Sequence, residues 1–149
     1  MCVSLIRYMG MIFQYTLDQI LCAQKTQTRR VIRTGETAVR GRYNRIEAVL
    51  HNDRVKWRVG QTYAVQPARG AAQVARIALV QINSEHIMRI STADATAEGF
   101  SSRLGFLATW QRIHGLDSMD CRVWVLKFEL VDVFEVWKPA PQSVLAYAD

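Results

Sequence analysis

The sequence predicts a mixed α+β domain built on an antiparallel sheet or small barrel. Three observations predict it. Residues 45–59 alternate polar and apolar side chains with a period of two. Two helical patterns follow one another between residues 91 and 115. A long apolar-rich run, Arg122 to Val133, then ends the patterned part of the chain.

Taken in order, Ile12 to Tyr15 reads as a short strand. Thr16 is placed to cap a short helix that runs out near Gln24, with Asp18 in its first turn and Leu17, Ile20 and Leu21 on one face. The strongly basic run Lys25 to Arg33 follows the helix, and Thr34 to Thr37 reads as loop. Residues 38–44 look irregular and basic. In the alternating stretch, Ile46, Ala48 and Leu50 oppose Arg45, Glu47 and Val49. After Asn52-Asp53, Val55, Trp57 and Val59 oppose Arg54, Lys56 and Arg58, which makes a β-hairpin whose turn residues tolerate positive φ. Gly60 ends it. Gln61 to Gln66 is a further strand, stopped by Pro67, and Val74 to Asn83 a buried one. Ser91 or Thr92 caps a helix running to about Glu98, with Asp94 in its first turn and Gly99 as its break. Ser101 or Ser102 caps the next, with Leu104, Phe106, Leu107, Trp110 and Ile113 as its apolar stripe and Gly115 as its end. The length of Arg122 to Val133 suits a closing barrel strand. Pro139 and Pro141 cannot continue a central strand. Residues 1–10 read as a leader or disordered N-terminus, 11–137 as the domain and 138–149 as a tail.

The 149 residues fit one domain, and the 50% hydrophobic share supplies a core. A charged share of 21% argues against general disorder. The net charge of +6 suits RNA, nucleotides or an acidic surface as partner, and equally a slightly basic soluble protein. Cys2, Cys22 and Cys121 are scattered and odd in number, and His51, His86 and His114 lack ligand spacing. That pattern argues against a disulfide framework and a metal site, and reads as a cytoplasmic chain with reduced thiols. No run approaches the length of a membrane span.

Two places could carry chemistry. Lys25 and Thr28 stand three apart at the expected end of a helix, where one turn would bring amine and hydroxyl to the same face. Arg29 and Arg30 follow, and a cationic neighbourhood or burial lowers a lysine pKa and favours a neutral amine able to activate a hydroxyl. A solvated basic loop is the plain alternative. Glu98 ends a helix, where the dipole disfavours its charge; a raised pKa would fit it for general acid work, and an exposed surface glutamate is the alternative. Among the aromatics, Tyr43 and Tyr63 are the candidates to stack on a base.

The run Ile20-Leu21-Cys22-Ala23-Gln24-Lys25-Thr26-Gln27-Thr28-Arg29-Arg30 resembles the signature of the ASCH domain family, roughly Ile-Leu-x-Gly-x-Lys-Thr-x-Thr-x-Arg. Ala97-Glu98-Gly99-Phe100 and Val123 to Phe128 resemble two further segments of the family, in the right order. The resemblance covers about residues 11–133 and implies a small PUA-like β-barrel with flanking helices and a cleft for a nucleobase or RNA. Small bacterial members are amidohydrolases that remove acyl groups from N4-acetylcytidine, using a lysine base, a threonine nucleophile and a glutamate proton donor. By resemblance these are Lys25, Thr28 and Glu98, with Arg29, Arg30, Tyr43, Tyr63, Gln66 and Phe100 as substrate-binding candidates and no cofactor or metal. RNA is a further candidate partner. A non-catalytic RNA-binding module and an RNA-cleaving enzyme are the alternatives the family offers. Two departures stand out. Ala23 replaces the usual glycine, so the turn before Lys25 is expected to differ. The hairpin of residues 40–59 is long, so the entrance is expected to differ too.

Overall fold

A computed structural model describes residues 10–134. The expected C-terminal tail lies outside the described residues, as does the expected leader apart from Gly10, which opens the first strand. Eleven elements follow in order: β1 (Gly10–Ile12), α1 (Leu17–Leu21), β2 (Gln27–Val31), β3 (Glu36–Arg40), β4 (Ile46–His51), β5 (Arg54–Arg58), β6 (Thr62–Gln66), β7 (Ala75–His86), α2 (Thr92–Ala97), α3 (Arg103–His114) and β8 (Arg122–Val133).

The long strand β7 organises one eight-stranded sheet. It pairs antiparallel with β6 on one side and, over nearly its whole length, with β8 on the other. Strand β2 adds antiparallel to the far side of β8, and β1 adds parallel to β6. The β4–β5 hairpin, with β3 beside β4, touches β7 through Ile46 and Ile82. Register shifts at Arg76/Ile77 and Leu79/Gln81 bend the β7–β8 ladder, so the sheet curls around its apolar face as a barrel does. Met11, Phe13, Ile20, Val49, Val65, Ile77, Leu79 and Ile82 fill that core with Trp124, Leu126 and Phe128 of β8. The intervening β8 residues Val123 and Val125 face a second core, made with Ile87, Ala95, Phe100, Phe106, Leu107 and Trp110 of the helical segment. The period-two alternation of one strand thus serves two apolar clusters.

The hairpin expectation is met: Asn52 and Asp53 turn it with φ of 50° and 65°. The caps Ser91 and Ser102 also take their expected places, accepting from the amides of Asp94 and Gly105. Four expectations are corrected. Residues 27–31 form strand β2 rather than a helix end, and residues 36–40 form β3 rather than loop. In β2 the buried positions are Gln27, Thr28 and Arg29, so no apolar alternation marks it. The first strand spans Gly10–Ile12, ahead of the expected Ile12 to Tyr15. In α3, Phe106, Leu107 and Trp110 are buried, but Leu104 is 75% exposed. It sits two positions before Phe106, about 200° round the helix. Ile113, in the last turn, is also exposed.

Glu36 ties β3 to its surroundings. Its carboxylate accepts from the Arg33 N–H (2.8 Å), from Trp124 Nε1 (3.2 Å) and from Lys56 Nζ. Burial pushes this carboxyl up, but the three hydrogen bonds outweigh it and the net pKa lies below the ordinary 4.5. Between the folded value and 4.5 the unfolded chain binds more protons, so stability rises with pH there, is complete above 4.5 and is lost as pH falls through the folded value. Glu36→Gln is expected to cost about 1–3 kcal/mol near neutral pH and to flatten the acid limb of the stability curve. Urea unfolding between pH 3 and 7 checks it. An acid limb as steep in the variant as in the parent would refute it.

Candidate active site

Two helix ends meet to build the site. α1 ends with the Gln24 N–H on Gln19 O (2.8 Å) and the Ala23 N–H on Ile20 O (2.9 Å). α2 ends in the same pattern, with the Phe100 N–H on Ala95 O and the Gly99 N–H on Thr96 O, both 2.9 Å. This paired closure needs a left-handed residue, which is Ala23 (φ 59°) in one case and Gly99 (φ 95°) in the other. The turn before Lys25 therefore keeps the glycine-like conformation despite the alanine, contrary to expectation. The last carbonyls of α2 are satisfied from α1's exit: the Thr26 N–H donates to Ala97 O and Lys25 Nζ to Glu98 O, each at 2.8 Å. A Cβ on Gly99 would stand 3.2 Å from Gln19 Cβ and 3.6 Å from Lys25 Cβ. Gly99→Ala is thus expected to destabilise by about 1–2 kcal/mol from the left-handed backbone alone. Thermal and urea unfolding measure it, and an unchanged midpoint would contradict the argument.

Between these ends lies a buried ionic cluster. Lys25 Nζ meets Glu98 Oε2 at 3.0 Å, and Arg29 Nη1 meets Glu98 Oε1 at 2.9 Å. The three side chains are 4% exposed or less. Gln27 Oε1 accepts from Arg29 Nη1 (2.6 Å), and Arg29 Nη2 reaches Glu85 and Asp94. Gln27 Nε2 donates to Asp94 Oδ1 at 3.1 Å. The carboxylate expected to sit unfavourably at a helix C-terminus is instead held between two cations. Burial pushes the Lys25 amine below its ordinary 10.5; Glu98 opposes this, while Arg30 and Arg29 add to it.

The cluster forms one wall of a cavity of about 230 Å³. Phe13, Tyr15, Phe100, Phe106 and Trp110 supply aromatic surface, and Lys25, Arg29, Arg30 and Glu98 supply the charges. Phe106 packs edge-on against Phe100 (centroids 5.3 Å apart) and stacks with Trp110 at 6.1 Å. Arg30 lies over the Phe13 ring at 5.1 Å and donates to Ile12 O at 2.9 Å. An apolar slot with a few fixed charges is a common form for a small-molecule site.

Of the residues singled out by sequence, the structure brings together Lys25, Glu98, Arg29, Arg30 and Phe100. Thr28 is buried in β2, opposite Leu126, on the strand face away from Gln27 and Arg29. It is not on the cavity wall, and no hydrogen bond joins it to Lys25 among the described residues. The helical i, i+3 meeting is therefore corrected, since Thr28 lies on a strand. Tyr63 is a core residue whose hydroxyl accepts from the Arg58 N–H at 2.7 Å. Gln66 donates to Ala71 O at 2.8 Å. Tyr43, 83% exposed, lines a different depression with Arg42 and Asn83. These three do not line the cavity. Sequence reasoning missed Gln27, Glu85 and Asp94, which complete the cluster, and Phe13 and Trp110, which wall the cavity.

The sequence matches no family model and no curated protein. Solved structures similar in fold include the following two. One is protein EF3133 from Enterococcus faecalis V583, of family DUF984: 15% identity, TM-score 0.50, with 83% of this chain and 74% of that one covered. The other is an ASCH domain from Lactobacillus crispatus JV V101: 18% identity, TM-score 0.51, with 76% of this chain and 68% of that one covered. The fold is thus ASCH-like, in agreement with the PUA-like barrel with flanking helices expected from sequence.

Proposed function

We propose that the chain is an amidohydrolase that removes acyl groups from N4-acylated cytosine nucleosides in the Lys25–Glu98 cavity. One observation carries this reading: a buried amine and carboxylate, 3.0 Å apart, sit on the wall of a slot lined by aromatic rings. A cytosine ring between the aromatic walls would point its N4–H at Glu98, the acceptor a carboxylate offers to that group. The N4–H would displace Lys25 Nζ from Oε2. Lys25 would then lose the hydrogen bond that helps to raise its pKa, while burial and the two arginines continue to lower it. The amine so neutralised takes the proton of Thr28 Oγ1, and the oxygen attacks the acyl carbonyl. The oxyanion that forms needs donors from backbone amides or from a cation of the cavity wall. The proton passes from Lys25 to Glu98 and on to N4 as the C–N bond breaks, and water, with Lys25 again as base, releases the acyl group from Thr28. This sequence requires the Thr28 side chain to reach the cavity on substrate binding. Incubation with N4-acetylcytidine and detection of cytidine tests the proposal. An equal rate on a simple anilide would contradict recognition of the base.

The position of Thr28, off the cavity wall, favours a second reading: an RNA-binding module that holds a splayed base in the same slot without cutting it.

A further inference from the structure

A second cavity, of about 540 Å³, adjoins the first and shares Ile12, Arg29, Arg30 and His114 with it. Arg33, Lys56 and Trp57 line it beyond the shared wall. Its cations are of two kinds. Arg29 is held by Glu85, Asp94 and Glu98, and Lys56 by Glu36. Arg30 and Arg33 have no carboxylate within ion-pair distance among the described residues. Arg30 Nε is buried and makes no hydrogen bond. Burial pushes the Arg30 guanidinium below its ordinary value; Glu98 opposes this, and the charge of Arg33 adds to it. Two mutually repelling guanidiniums line the cavity. A bound dianion would relieve the repulsion.

We propose that the second cavity is a phosphate subsite, and that the ligand of the joined cavities is a cytosine nucleoside carrying a phosphate ester. The inference rests on the reading of the first cavity as a cytosine slot. Guanidinium forks match phosphate oxygens in pairs, which an isolated ammonium does not. The spacing also fits. The four steps from Arg29, beside Glu98, to Arg33 reach at most about 13 Å of backbone, the scale of a nucleotide from base edge to phosphate.

The test is a binding measurement, so it does not depend on turnover. Cytidine and cytidine 5′-monophosphate are titrated into the intact chain by calorimetry at low and raised salt. The monophosphate is expected to bind about tenfold tighter or better, as charge-assisted contacts to phosphate allow. The advantage should shrink with salt. Arg33 is exposed, so Arg33→Gln should fold normally. It should remove most of the advantage, and Arg33→Lys should keep part of it. Equal affinity for the two ligands, absence of binding by both, or an advantage untouched by Arg33→Gln overturns the subsite. An oligoribonucleotide with an internal cytosine distinguishes the sources: tighter binding than the monophosphate assigns the phosphate to a strand, weaker binding to a free nucleotide, and either keeps the subsite. Arg33-dependent binding of the monophosphate without release of cytidine from N4-acetylcytidine would refute the hydrolase alone.

Discussion

Replacing Glu98 with alanine is expected to cost the fold about 3–5 kcal/mol, the usual penalty for removing one member of a buried ion pair. Glu98 is the shared partner of Lys25 and Arg29, both buried. Arg29 retains Glu85 and Asp94, but Lys25 retains no carboxylate among the described residues. The defect therefore concentrates on one amine that can shed its proton. Burial already holds the folded pKa of Lys25 below 10.5, and loss of Glu98 lowers it further. Between that lowered value and 10.5 the unfolded chain binds the extra proton, so the stability of the variant should rise with pH across the window. Urea unfolding at pH 7 and pH 9 reads this directly. Glu98→Gln, which keeps the shape and an acceptor, should lose less. If Glu98→Ala unfolds at the parent's urea concentration, the cluster does not have the structural weight assigned to it.

The second large effect concerns turnover. Lys25→Ala and Thr28→Ala should each reduce acyl-cytidine hydrolysis by at least about a hundredfold, with the double variant little worse than either single one. Groups that act as one unit are non-additive in this way. Lys25→Arg should fail as completely, since arginine keeps its proton at any working pH and cannot serve as the base. Yet arginine can still pair with Glu98, so this variant should stay folded and still bind ligand. Steady-state rates for the four variants, with unfolding midpoints alongside, decide the matter. An active Lys25→Arg protein would remove the base role from Lys25 and move it to another group. An active Thr28→Ala protein would instead move the nucleophile to another group.

Much of this architecture was legible in the residues. The hairpin announced itself because one face of β4 and β5 is apolar and the turn carries Asn52 and Asp53. Both long helical caps and the full extent of β8 were readable for the same local reasons. Strand β2 was not, because its buried residues Gln27 and Arg29 find charges rather than hydrocarbon. A polar strand of this kind is created by its partners, β8 on one side and α2 through Glu98 and Asp94 on the other, and these lie about 65 or more residues away in sequence. The Lys25–Glu98 pair belongs to the same class. Resemblance placed both residues in one site, while their physical reason for meeting, two helix ends closing against each other, is tertiary. Tyr63 shows the opposite error: an aromatic ring offered to a ligand by type alone is committed to the core by its strand parity.

Strand β8 presents alternate residues to two apolar clusters, so the clusters share it as a common wall. Fraying the helical segment would uncover Val123 and Val125, and loosening the barrel would uncover Trp124, Leu126 and Phe128 on the same backbone. Sub-global opening of either part then disturbs the other. The β7 and β8 amides should accordingly exchange with solvent only through whole-chain unfolding, with nearly one protection level along the ladder. A cleft on this seam gains rigidity from both sides at once.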